Sequence, residues 1–81
     1  MGKEEFWQDC EKILEEMIES QRGKLLQYAR KIVPHATSDD VLQPMDFPEL
    51  EEHPLFRYEE GVFEGLHTAI TALRAHKAEE E

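Results

Sequence analysis

Apolar residues recur at spacings of three and four along the first third of the chain: Trp7, Cys10, Ile13, Leu14, Met17, Ile18, Leu25, Tyr28, Ala29 and Ile32. That spacing keeps them on one stripe of a helix of about 3.6 residues per turn and predicts helix over residues 3–33. Pro34 sets the end, because proline excludes the helical conformation from the residue before it. Gly23 is worth about 1 kcal/mol less than alanine at mid-helix, which marks Arg22–Gly23 as the place for a bend. At about 1.5 Å per residue the rod spans about 46 Å, and it cannot bury its own stripe.

A second helix is predicted from Pro54, a favourable first-turn residue, to about Ala78. Steps of about 100° per residue place Leu55, Tyr58, Val62, Leu66, Ala69 and Leu73 along one line, with Phe56, Phe63 and Ile70 flanking it. A row of small residues, Gly61, Gly65, Thr68, Ala72 and Ala75, runs along the other side. Two glycines inside a helix are destabilising, so the expectation is that another backbone approaches closely there. On that reading the second helix is contacted on two sides.

All four prolines, Pro34, Pro44, Pro48 and Pro54, fall in the intervening segment 34–54. Connections between paired helices usually take about 2–8 residues, so this one is expected to carry structure of its own. Ser38 followed by Asp39 and Asp40 has the pattern of an N-cap with acids in the first turn. Asp46 and Glu49 resemble a capping box, with Pro48 in the first turn. Two short helical turns are predicted, over about 38–43 and 46–52. The Glu79–Glu81 run opposes the dipole at a helix C-terminus, which predicts a frayed last turn.

Charge sets the orientation of the two rods. Lys3–Glu19 holds seven acids and two bases, a balance of −5, whereas Ser20–Val33 holds four bases and no acid. The segment 34–54 adds six acids and no lysine or arginine. Folding the chain back lays the basic half of helix 1 beside Glu59, Glu60 and Glu64, and lays Arg74 and Lys77 beside the acidic half. Each exposed pair contributes only about 0–1 kcal/mol, but together they select the antiparallel hairpin.

With 81 residues the chain has room for one domain, 1–81, and chains this short usually need a staple or a second copy. Cys10 is the only cysteine, so an internal disulfide is ruled out and a reducing compartment is indicated. No apolar run reaches the length of a membrane span and no signal-peptide pattern opens the chain, so cytoplasmic residence without membrane contact is expected. The fold expected is all-α: an antiparallel helical hairpin that dimerises into a four-helix bundle. Leu14, Ile18, Leu25, Ile32, Val62, Leu66 and Leu73 are its expected core or dimer residues. The net charge of −10 disfavours direct contact with nucleic acid or anionic lipid and suits a basic protein partner.

One constellation carries metal-type spacing: Glu60, Glu64 and His67, on one face of helix 2. Glu-x-x-His brings a carboxylate and an imidazole one turn apart to the same metal in a bundle core. In length, hairpin organisation and the Glu64/His67 pair, the chain resembles the encapsulated ferritins, short ferritin-like chains that complete a di-iron site on dimerising. The resemblance implies a metal shared across a dimer interface, with Glu11, Glu15 or Glu19 of helix 1 as bridging ligands. It departs from the pattern in that no helix 1 carboxylate lies within the apolar stripe. The competing reading is that Glu60, Glu64 and His67 form a solvated helix face.

His35, His53 and His76 lack metal spacing and suit surface or capping roles. Cys10, between Asp9 and Glu11, lacks the basic surroundings of a catalytic thiolate and suits a small core position. No phosphate-binding glycine loop, hydrolase elbow or zinc cluster is present, so no enzyme activity and no cofactor is expected. Met45, Phe47, Leu50, Leu55 and Phe56 are the candidate protein-interface residues: an apolar patch within an acidic segment, or else a cap on the hairpin core. The function expected is a small interaction or regulatory module. A ferritin-like metal protein and an acidic mimic of nucleic acid stand as alternatives.

Overall fold

The computed structural model describes residues 2–42 and 47–80. Among these the protein is all-α: α1 (Lys3–Ile32), α2 (Ser38–Leu42), α3 (Pro48–Glu51) and α4 (Pro54–Glu80). α1 and α4 pack antiparallel into a rod of 47 × 18 × 18 Å, and the two short helices close one end. No described helix is long and apolar enough to cross a membrane.

The ends follow local chemistry. α1 opens with Glu4 and Glu5 and closes with Arg30 and Lys31, matching the positive and negative ends of its dipole. It stops at Val33, whose backbone is extended (φ −124°, ψ 93°) ahead of Pro34. The cap of α2 is Thr37, one residue earlier than the sequence pattern indicates. Its backbone N–H donates to Asp40 Oδ2 (2.9 Å), and the Asp40 N–H donates to Thr37 Oγ1 (3.3 Å), a reciprocal capping box. α3 has Phe47 at its N-cap with no side-chain cap and Pro48 in its first turn; Asp46, the expected cap, lies outside the described residues, as does Met45. His53 serves α4 as a cap, its Nδ1 accepting from the Phe56 N–H at 3.4 Å. α4 runs to Glu80, two residues past the end expected from the sequence, with Glu80 held by Lys3 at 2.9 Å and facing His76 one turn back.

The core is a single seam. Ile18, Leu25 and Ala29 of α1 meet Phe56, Phe63 and Ile70 of α4, and Ala36, Val41 and Leu50 plug the linker end. Leu14, Ile32 and Leu66 pack against this cluster from its edge, and Leu73 is half-buried. Two features of α4 that the sequence reading assigned to contacts on two sides stand as follows within one chain. The line centred on Leu55, Tyr58, Val62 and Ala69 is exposed, and its flank, Phe56–Phe63–Ile70, is the core. A hairpin offers α4 one neighbour, and the bulky aromatic edge takes that contact because it buries the most area. The row of small residues meets no second backbone within the chain: a methyl group built on Gly61 or Gly65 would have nothing within 4 Å.

Of the candidate interface residues, Leu50 and Phe56 are fully buried (0% exposed) and are core residues, Phe47 is half-buried against them, and Leu55 is exposed. The cap reading therefore holds for Leu50 and Phe56. Truncating Phe56 to alanine should lower the unfolding free energy in urea by about 3–5 kcal/mol, whereas Leu42→Ala, on the exposed side of α2, should change it by less than about 0.5 kcal/mol. Gly23 also faces open space inside a continuous helix. Gly23→Ala should raise stability by about 0.5–1 kcal/mol, read as a higher urea midpoint at unchanged slope.

Candidate interaction face

Seven large apolar side chains among the described residues are exposed, and six of them lie along one side of the hairpin. At about 100° per residue, Phe6, Ile13 and Met17 fall on one flank of the α1 core line, and Leu55, Tyr58 and Val62 on one flank of the α4 line. The groove between the helices joins the two flanks. Ile13, Met17, Val62 and Leu66 line it as a shallow, open groove, with Glu16, Ser20 and Gln21 completing its wall. Ile13 is 58% exposed, Met17 48% and Val62 37%, so each has more than a third of its surface left to bury. Phe6 and Trp7 extend the surface toward the termini, where Trp7 meets the His76 ring edge-on at 5.7 Å.

A polar clamp borders this face. Gln21 Nε2 donates to both the Glu59 backbone carbonyl (2.9 Å) and Glu59 Oε2 (2.6 Å), and Lys24 Nζ pairs with Glu59 Oε1 at 3.2 Å. Gln21 and Glu59 are both buried. The Gln21 hydrogen bond holds the Glu59 carboxyl below the usual carboxylate range, burial pulls the other way, and Lys24 assists the lowering. Hydrogen bonding and charge from Glu59 raise Lys24 correspondingly. Charge reasoning on the sequence paired Glu59 with the basic half of α1 but not with Gln21. The readable sign was position: Gln21 falls between Ile18 and Leu25 on the buried stripe, where a polar side chain needs a partner.

The opposite flank carries the metal candidates. Glu60 pairs with Arg57 at 3.1 Å, and its carboxyl is raised chiefly by burial, with Glu64 and Glu51 adding to the rise. His67 sets its ring against Phe63, 4.7 Å between centroids and 72° between planes, and Glu64 is exposed. The α1 acids proposed as bridging ligands face cations instead: Glu11 is held by Arg74 and Lys77, Glu15 by Arg74 and Glu19 by Arg22. Arg74 and then Lys77 lower the Glu11 carboxyl through hydrogen bonds. Among the described residues no three histidine, cysteine or acidic side chains converge as metal ligands. Cys10 is a free, half-buried thiol on the edge of the apolar face, and His35 is exposed. No protein-family model, curated protein or solved structure gives a significant match to this chain.

The clamp has a sign that titration can read. Because the folded pKa of Glu59 lies below its unfolded value, its stabilisation is complete above the ordinary carboxylate range and is lost as pH falls through the folded value. Glu59→Gln should therefore lower stability at neutral pH and flatten the acid limb of the stability–pH curve, measured by urea unfolding between neutral and acid pH. An acid limb identical to that of the parent would remove Glu59 from the account.

Proposed function

We propose that the chain is a non-enzymatic protein-interaction module that acts as a homodimer, its two apolar faces closing into a four-helix bundle. The observation that carries this reading is the concentration of exposed apolar side chains on one side of the rod, from Phe6 to Val62. A surface patch of this kind is what association sites look like, and single scattered apolar residues are not.

Size supports a second copy as the occupant. One broad side of a 47 × 18 Å rod covers about 850 Å², close to the roughly 800 Å² that each partner contributes to a standard interface. A chain of 81 residues with a one-seam core also gains the burial that small domains otherwise lack. The acidic surface is then left outward on the bundle. A net charge of −10 per chain repels phosphate and favours a partner with a basic protein surface.

The metal reading and this dimer use opposite sides of α4. Pairing through Ile13, Met17 and Val62 leaves Glu60 and His67 on the far flank, outside the interface. The two readings are therefore separable in one experiment, native mass spectrometry of protein purified without chelator. A metal-free dimer is expected, and Met17→Asp and Val62→Asp should each give a monomer that keeps its helical circular dichroism, since a charge in the closed interface would be buried unpaired. A monomeric parent protein would remove the dimer, and a dimer carrying iron-sized masses that His67→Ala abolishes would establish the metal reading in its place.

A further inference from the structure

α1 carries its charge in two blocks, and the seam uses only part of it. Lys3–Glu19 holds seven acids and two bases, and Ser20–Val33 holds four bases and no acid. Toward α4, Glu11 and Glu15 take Arg74, and Lys24 takes Glu59. On the other sides of α1, Glu5, Asp9 and Glu16 are exposed in the first half, and Arg30 and Lys31 in the second. Among the described residues none of these five makes an ion pair. The flank of α4 beside the groove differs: Tyr58, Val62, Gly65, Ala69, Ala72 and Leu73 follow one another along it with no acid, lysine or arginine. Lys3 meets Glu80 and Lys24 meets Glu59, so a step up α1 is matched by a step down α4, and Met17 stands level with Leu66.

A second copy can seat on this face about either of two axes that leave neighbouring helices antiparallel. About an axis along the rod, α1 of one copy lies over α4 of the other. About an axis across the rod, α1 lies over α1 and α4 over α4, each end for end. We infer that the axis crosses the rod at the level of Met17 and Leu66; this rests on the dimer proposed above. The acidic half of α1 then lies along the basic half of its copy, with Asp9 level with the turn that holds Lys24, and Glu5 level with Arg30. Lys3, which comes level with Lys31, is already held by Glu80 of its own chain. α4 closes on α4 through its uncharged flank. Gly65 and Ala69 fall next to the axis, where small side chains let two backbones come close. A methyl group built on Gly65 has nothing within 4 Å in one chain, so that approach is open. An axis along the rod would instead lay Asp9 and Glu16 toward the uncharged flank of α4, which offers them no cation. Charge complementarity selects the crossed axis.

Pulsed dipolar electron resonance separates the two axes. Spin labels are placed at Glu4→Cys, near the start of α1, and at Glu19→Cys, near its middle, each in a Cys10→Ser background. Both positions are exposed, on the side of α1 turned away from the apolar face. With the crossed axis, the two copies of residue 4 stand at opposite ends of the rod. At a rise of about 1.5 Å per residue, their separation exceeds that at residue 19 by about 15 Å or more, and this is the result expected. With the axis along the rod both positions keep level with their copies, and the two distances agree within about 10 Å. That agreement overturns the crossed axis and leaves the dimer intact. Absence of any inter-chain coupling, together with a monomer mass, overturns both the dimer and the orientation that rests on it.

Discussion

Two rods laid side by side share one seam, and every other feature of this protein answers to that constraint. Each helix can bury a single narrow strip against its neighbour, whatever the width of its apolar stripe. In α4 the strip is Phe56, Phe63 and Ile70, and in α1 it is Ile18, Leu25 and Ala29. The clamp of Gln21 and Lys24 on Glu59 lies along the same seam and fixes how far one rod slides past the other. A buried carboxylate without those partners would be strongly destabilising, so the pairing register is specified chemically as well as by shape.

The linker is part of the core. Ala36, Val41 and Leu50 fold back onto Leu25, Ala29 and Phe56 and seal one end of the rod, which explains why so long a connection is retained between two helices that a short turn could join. Its helical turns are brief, and they hold because the Thr37–Asp40 box and Pro48 start them and burial anchors them.

Most of the fold was readable from residue spacing. The three-and-four periodicity, Pro34 and Pro54 place α1 and α4 within about two residues of their observed ends, and charge balance selects their antiparallel arrangement. What spacing could not choose was the angle at which α4 turns toward its neighbour. Its apolar arc is wide enough to be centred on Val62 or on Phe63, and within the chain it is Phe63 that meets α1. The same limit applies to Ile13, Met17 and Val62: they belong to the stripes read from the sequence as dimer or core positions, and within one chain they are exposed. Glu59 was obscured for another reason, since a glutamate on a helix is normally solvated and burial follows only once Gln21 lies opposite.

The salt bridge between Lys3 and Glu80 has a mechanical meaning. It brings the first and last turns of the molecule to within a hydrogen bond of each other, at the end of the rod away from the linker. A force applied through the two termini would act across the seam instead of along it. The helices would then separate one turn at a time, beginning with the salt bridges of Glu80, Lys77 and Arg74 and reaching the Glu59 clamp and the plug of Ala36, Val41 and Leu50 last. In this loading geometry the hairpin opens like a zipper, yielding at low force from one end, whereas a rod pulled from opposite ends must shear all its contacts at once.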